Sequence, residues 1–217
     1  MRAALIFDFD GTLAPTEAAV HGAWEAFFRE RGHELSVARW STAIGGMEGG
    51  ARYDPWAEAE QLGLGARSVV EPLVRRLLDD RLEGLIPAPG ALALLESAAA
   101  AGLPLGVASG SSSGWVLRHL ERLGLKRFFG TVRTRDHGPA KPSPALYRMA
   151  LEDLGADAGS SWAIEDSGPG VAAAHAAGMR VLAVPHALTS THQFPGAQLV
   201  VASLLEVTLL DLGLAPG

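Results

Sequence analysis

The chain has 217 residues, 48% hydrophobic and 19% charged, with a formal net charge of -6. That is enough apolar material for one ordinary domain plus a small insert, which excludes a disordered chain, and the acidic balance argues against a nonspecific grip on nucleic acid or an anionic membrane. Cysteine is absent, which removes disulfides, thiolate metal sites and cysteine nucleophiles and fits a reducing cytosol.

The first predicted element is a strand over residues 4–7, apolar until it reaches Asp8. The run is too short for a signal-peptide core or a membrane span, so a soluble, cytoplasmic protein is expected. Residues 15–84 follow without an evident strand, and residues 18–31 and 67–81 read as amphipathic helices. From residue 85 a regular alternation sets in. Helices are predicted at 91–101, 114–123, 144–154 and 171–177, ending at Gly102, Gly124, Gly155 and Gly178, where a left-handed helix terminus favours glycine. Strands are predicted between and after them at 105–108, 128–132, 162–164, 181–184 and 199–201. The pattern predicts an α/β fold, a doubly wound Rossmann-like parallel sheet built from residues 1–14 and 85–217, with residues 15–84 inserted as an α-helical cap.

Three predicted strands finish in polar residues: Asp8, Ser109, and the pair Glu165-Asp166. The carboxyl edge of an open parallel sheet is where ligands bind, so these positions converge although far apart in sequence. Asp8 and Asp10 bracket Phe9 where the chain leaves the sheet. Together with Glu165 and Asp166 they bring too much negative charge to share one crevice unless a hard cation lies among them, and magnesium suits such oxygen donors. Taken singly, Asp10-Gly11 is an ordinary turn, Ser109 the start of a polar loop, and Lys141-Pro142 a solvated lysine before a bend. Their order along one chain changes that reading.

Asp8-Phe9-Asp10-Gly11-Thr12-Leu13, Ser109-Gly110, Lys141-Pro142 and Glu165-Asp166-Ser167 with Gly170 resemble, in order and spacing, the four motifs of the haloacid-dehalogenase superfamily. The chain resembles the helical-cap subfamily that includes phosphoglycolate phosphatase, 2-deoxyglucose-6-phosphatase and β-phosphoglucomutase. The resemblance implies that Asp8 attacks phosphorus and that Asp10 serves as acid and then base. Ser109 and Lys141 would hold the phosphoryl group, with Gly11, Thr12 and Gly110 beside it. Asp166, Asp8 and the Asp10 carbonyl would bind Mg2+, with Glu165 assisting. His21 stands near a position where related mutases carry a histidine that contacts the acid/base aspartate, displaced by one residue.

The substrate implied is a small phosphorylated metabolite, with neither nucleic acid nor membrane as partner. Residues 44–52 are expected to form the substrate-facing cap loop, with Arg52, Arg75 and Arg76 as its candidate cations. A mutase is the alternative reading, but the Arg-Gly-x-Ser-Arg loop of β-phosphoglucomutases is not found here. A noncatalytic phosphate-binding module is a further alternative, weakened because no nucleophile or metal ligand is missing. Trp24, Trp40 and Trp56 are expected to pack, not to stack bases. His33, His119, His175, His186 and His192 are expected at the surface.

Overall fold

Short strands that are apolar at every position can be buried only if both sheet faces are covered, and this requirement sets the architecture. In the computed structural model, residues 2–44 and 53–214 are described. Six strands, β1 (Leu5–Phe7), β2 (Leu105–Ser109), β3 (Thr131–Thr134), β4 (Trp162–Glu165), β5 (Arg180–Ala183) and β6 (Leu199–Val200), form one sheet in the order β3-β2-β1-β4-β5-β6. Every pairing is parallel, with Leu5 opposite both Leu105 and Trp162.

Alternation along β1 sorts its side chains between two cores. Leu5 and Phe7 join Leu95, Val116 and Leu120 from helices α5 (Ala91–Ala100) and α6 (Ser113–Arg122). Ala4 and Ile6 join Leu146, Tyr147 and Val171 from α7 (Ala145–Leu154) and α8 (Gly168–Ala176) on the other face. Full burial of side chains such as Phe7 or Ile6 is worth about 2–3 kcal/mol each. The glycines expected after these four helices, Gly102, Gly124, Gly155 and Gly178, all adopt positive φ. Strand order reverses between β1 and β4, which opens a crevice at their carboxyl ends.

Between β1 and α5 lie α1 (Thr16–Arg29), α2 (Val37–Ser41), α3 (Pro55–Gln61) and α4 (Arg67–Leu82). They bury a third cluster of their own, centred on Trp24, Phe27, Phe28, Trp40, Val70 and Val74. Trp24 meets Trp56 edge to face at 4.6 Å between centroids and stacks on Phe28. The sequence reading anticipated α1 and α4 but not the two short helices, since five and seven residues are too few to show a period. Local chemistry starts both. Ser36 caps α2 by accepting from Arg39 N–H, and Asp54 caps α3 by accepting from Trp56 N–H at 2.9 Å, with Pro55 at the first helical position.

Two further expectations are corrected. The third strand begins at Thr131, and Phe128 instead closes a 3₁₀ turn, Lys126–Phe128, while Phe129 packs edge-on against Phe7. Of the five histidines expected at the surface, His119 and His192 are buried, His33 and His186 are half-buried, and His175 is exposed. His119 stacks on Phe9 and meets Trp115 edge-on. Burial pushes its pKa down, so it packs as a neutral aromatic ring. His192 bridges core and insert: one ring nitrogen accepts from Gly168 N–H at 3.2 Å and the other lies 3.1 Å from the Ser41 carbonyl of α2. Leu188, from the same β5–β6 connection, enters the insert's apolar cluster.

Candidate active site

The end of β1 delivers Asp8 to the crevice, and its backbone N–H still bonds Ile164 O of β4 at 2.9 Å. Lys141 arrives from the β3–α7 connection, and its Nζ donates to Asp8 Oδ1 and to Glu165 Oε1, each at 2.5 Å. Burial alone would lower the lysine pKa, but the two carboxylates outweigh it and hold the ammonium above its usual range. Asp8 and Asp166 are pushed well above the ordinary carboxylate range, first by burial and then by neighbouring carboxylates, against the pull of Lys141.

Asp166 is held from two sides. Thr12 Oγ1 donates to its Oδ1 at 3.5 Å, and His186 Nε2 lies 2.8 Å from its Oδ2. Leu188 N–H donates to His186 Nδ1 at 3.3 Å, which leaves the proton on Nε2 to reach Asp166. Gly11 makes this approach possible: at φ +87° it takes a conformation other residues avoid, and a Cβ there would lie 2.6 Å from both Asp166 Oδ2 and His186 Nε2. His186 follows the end of β5, so the strand-end rule that singled out Asp8 applied to it as well.

Asp10 points to a different set of donors. Thr16 Oγ1 and Trp115 Nε1 reach its Oδ1 at 2.6 and 2.7 Å, and Ser111 and Ser109 hydroxyls reach Oδ2 at 2.6 and 3.4 Å. Ser109 is fully buried and also accepts from Ser111 N–H. Ser111 and Trp115 were missed from sequence, although both lie within six residues of Ser109 at the start of α6.

Glu165, expected to assist a metal, has both oxygens engaged by protein donors. Oε1 receives Lys141 and the Tyr147 hydroxyl at 2.6 Å, and Oε2 receives the Asp166 amide and the Ser167 hydroxyl, each at 3.2 Å. Its carboxylate therefore anchors the lysine. Burial, then the charge of Glu165, raises the Tyr147 pKa well above its usual value and keeps the hydroxyl protonated as a donor.

A cavity of about 770 Å³ opens above these groups, with Asp8, Asp10, Gly110, Lys141 and Asp166 on its wall. Ser109, Thr12 and Glu165 lie behind that surface. Val20 and Glu17 of α1 reach the cavity, whereas His21 does not. One residue along a helix is a rotation of about 100°. The displacement turns the buried His21 ring edge-on to Trp40 at 5.2 Å, with Nε2 unpartnered, so the structure does not bring it to Asp10. Arg52 and the loop from Gly45 onward lie outside the described residues.

A family description, haloacid dehalogenase-like hydrolase, matches residues 3–178. The Bacillus subtilis (strain 168) protein YhcW is 34% identical over 210 residues, covering 96% of this chain and 95% of its own. Hexitol phosphatase A of Escherichia coli (strain K12) is 30% identical over 214 residues, with 94% and 92% covered. The crystal structure of CbbY from Rhodobacter sphaeroides in complex with phosphate superposes with a TM-score of 0.72 at 27% identity, over 95% of this chain and 96% of the other. With its carboxylates and buried lysine gathered where strand order reverses, and with that match spanning most of its length, the chain belongs to the haloacid dehalogenase-like hydrolases.

Proposed function

We propose that this protein is a magnesium-dependent phosphatase that hydrolyses a small phosphorylated metabolite through an aspartyl-phosphate on Asp8. The observation that carries this reading is the buried lysine shared between Asp8 and Glu165, a positive charge fixed beside a carboxylate at the sheet's reversal point. The Asp8 carboxylate oxygen attacks phosphorus and forms the acyl-phosphate bond as the ester P–O bond breaks. Asp10 gives its proton to the departing oxygen, then takes one from the water that cleaves the acyl-phosphate. Lys141 neutralises the equatorial oxygens, and Ser109 with Gly110 at the end of β2 borders the same pocket. The helices of residues 15–84 stand over the site and shield it from water as a cap.

The donor chemistry fits a hard cation, because Asp8 and Asp166 are carboxylates at one sheet edge whose pKa values are raised by burial and then by the neighbouring charge of Glu165. Among the described residues no three acidic or histidine side chains stand ready as a complete metal shell. Asp8, Asp166 and the Asp10 carbonyl are the groups that would hold the ion. Bound there, Mg2+ would supply charge neutralisation to the transferring phosphoryl group. Removing divalent ions with EDTA should cut turnover by about a hundredfold or more, and magnesium should restore it. Asp166→Ala should raise the magnesium concentration for half-maximal activity by about tenfold or more. Full activity in demetallated protein would disprove the metal requirement. Among the described residues no helix is long and apolar enough to cross a membrane.

A further inference from the structure

The donors that surround the Asp10 carboxyl are not equivalent. Its Oδ1 lies 2.7 Å from the indole nitrogen of Trp115 and 2.6 Å from the Thr16 hydroxyl. Its Oδ2 meets the hydroxyls of Ser111 at 2.6 Å and Ser109 at 3.4 Å. An indole N–H can only donate, whereas a serine hydroxyl donates or accepts. Oδ1 is therefore tied to the acceptor role, and Oδ2 is the oxygen free to carry a proton.

Packing decides where that indole points. Trp115 lies in the first turn of α6, half-buried, and does not line the cavity that Asp10 reaches. One turn further along the helix, His119 meets its ring edge-on at 4.3 Å and is itself stacked on Phe9 at 6.4 Å. Neither nitrogen of His119 has a hydrogen-bond partner among the described residues, so this ring serves by its shape. Phe9 is fully buried and stands between Asp8 and Asp10 in the chain. A brace of rings thus runs from α6 back to the turn that carries Asp10, and it holds the indole N–H at that carboxyl from outside the pocket.

We propose that Trp115 is a positioning residue for proton transfer: its Nε1–H fixes Asp10 Oδ1 as an acceptor, so that Oδ2 is the oxygen that exchanges the proton with the leaving group. The inference rests on the phosphatase reading above and adds a residue that lies outside the four motifs. As the bond from Asp8 to phosphorus forms and the ester P–O bond breaks, the electron pair of the broken bond stays on the departing oxygen, which takes the proton from Oδ2. Asp10 is left with a full negative charge, and the Trp115 N–H, already aligned, meets it at Oδ1.

Phenyl phosphate and p-nitrophenyl phosphate, assayed with magnesium present, test this directly, because the two esters are similar in shape and differ in the basicity of the leaving group. p-Nitrophenolate departs without a proton, whereas phenolate needs one. Trp115→Phe keeps a ring and removes the N–H. The ratio of kcat/KM for phenyl phosphate to that for p-nitrophenyl phosphate should fall by about tenfold, part of the full contribution of a positioned acid. Both esters are assayed on one sample, so a smaller folded fraction cancels from the ratio. Should the Phe variant not fold, the indole N–H resonances decide: that of Trp115 should move between the wild type and Asp10→Ala. A ratio equal to that of the wild type, whether or not both rates drop, would overturn the proposal, as would indole resonances indifferent to Asp10→Ala. If the wild type hydrolysed neither ester, the phosphatase reading itself would fall.

Discussion

Replacing Asp8 with Asn should remove turnover by a factor on the order of ten thousand or more while leaving the protein folded. The amide has the carboxylate's shape but neither its nucleophilicity nor its charge, and no other described carboxylate shares its position at the end of β1. Wild-type enzyme quenched during turnover should carry a phosphoryl group on the peptide that contains Asp8, and the variant should not. Near-normal turnover by the variant, or a label mapped elsewhere, would refute the assignment.

Gly170→Ala is expected to damage both fold and activity from a position outside the cavity wall. Gly170 sits in the first turn of α8 against the Glu165 carboxylate, and a Cβ there would lie 2.0 Å from Glu165 Oε2. Glu165 cannot yield cheaply, because it is fully buried and bound to Lys141, Tyr147 and Ser167. Moving it breaks those bonds and strips a buried ion pair, a change worth about 3–5 kcal/mol. For a chain of this size the melting temperature should fall by about 6–20 °C. Lys141 would lose the carboxylate that aims it, and a misplacement of that kind costs about a hundredfold in rate. Gly114→Ala is the control: it lies in α6 with nothing within 4 Å of the added methyl, and should change stability by no more than about 1 kcal/mol, upward. Equal melting temperatures and rates for Gly170→Ala and the wild type would show that Glu165 does not position the lysine.

The parts of this molecule that were legible in its sequence are those governed by local pattern. Short apolar runs ending in Asp8, Ser109 and Glu165 announced parallel strands and a shared edge, and glycines after helices marked their ends. What escaped the sequence depends on tertiary neighbours. The polar alternation of Thr131, Arg133 and Thr134 disguised an edge strand, in which Arg133 pairs with Asp153 of α7. Glu165 could be recognised as acidic and near the site, but its task is set by Lys141, Tyr147 and the Ser167 turn, none of which composition predicts. His119, His186 and His192 illustrate the same limit. A histidine has no preferred depth, so packing against Trp115, Asp166 or Ser41 decides its role.

The inserted helices keep an apolar cluster separate from the two that flank the sheet. Substitutions at Trp40 or Trp56 therefore reshape the insert's side of the cavity without touching the residues bonded to Asp8 and Lys141. Selection can act on the two halves at different rates. Descendants of such a chain can trade one alcohol for another through changes in the insert, while the bond-breaking apparatus at the sheet edge is inherited intact.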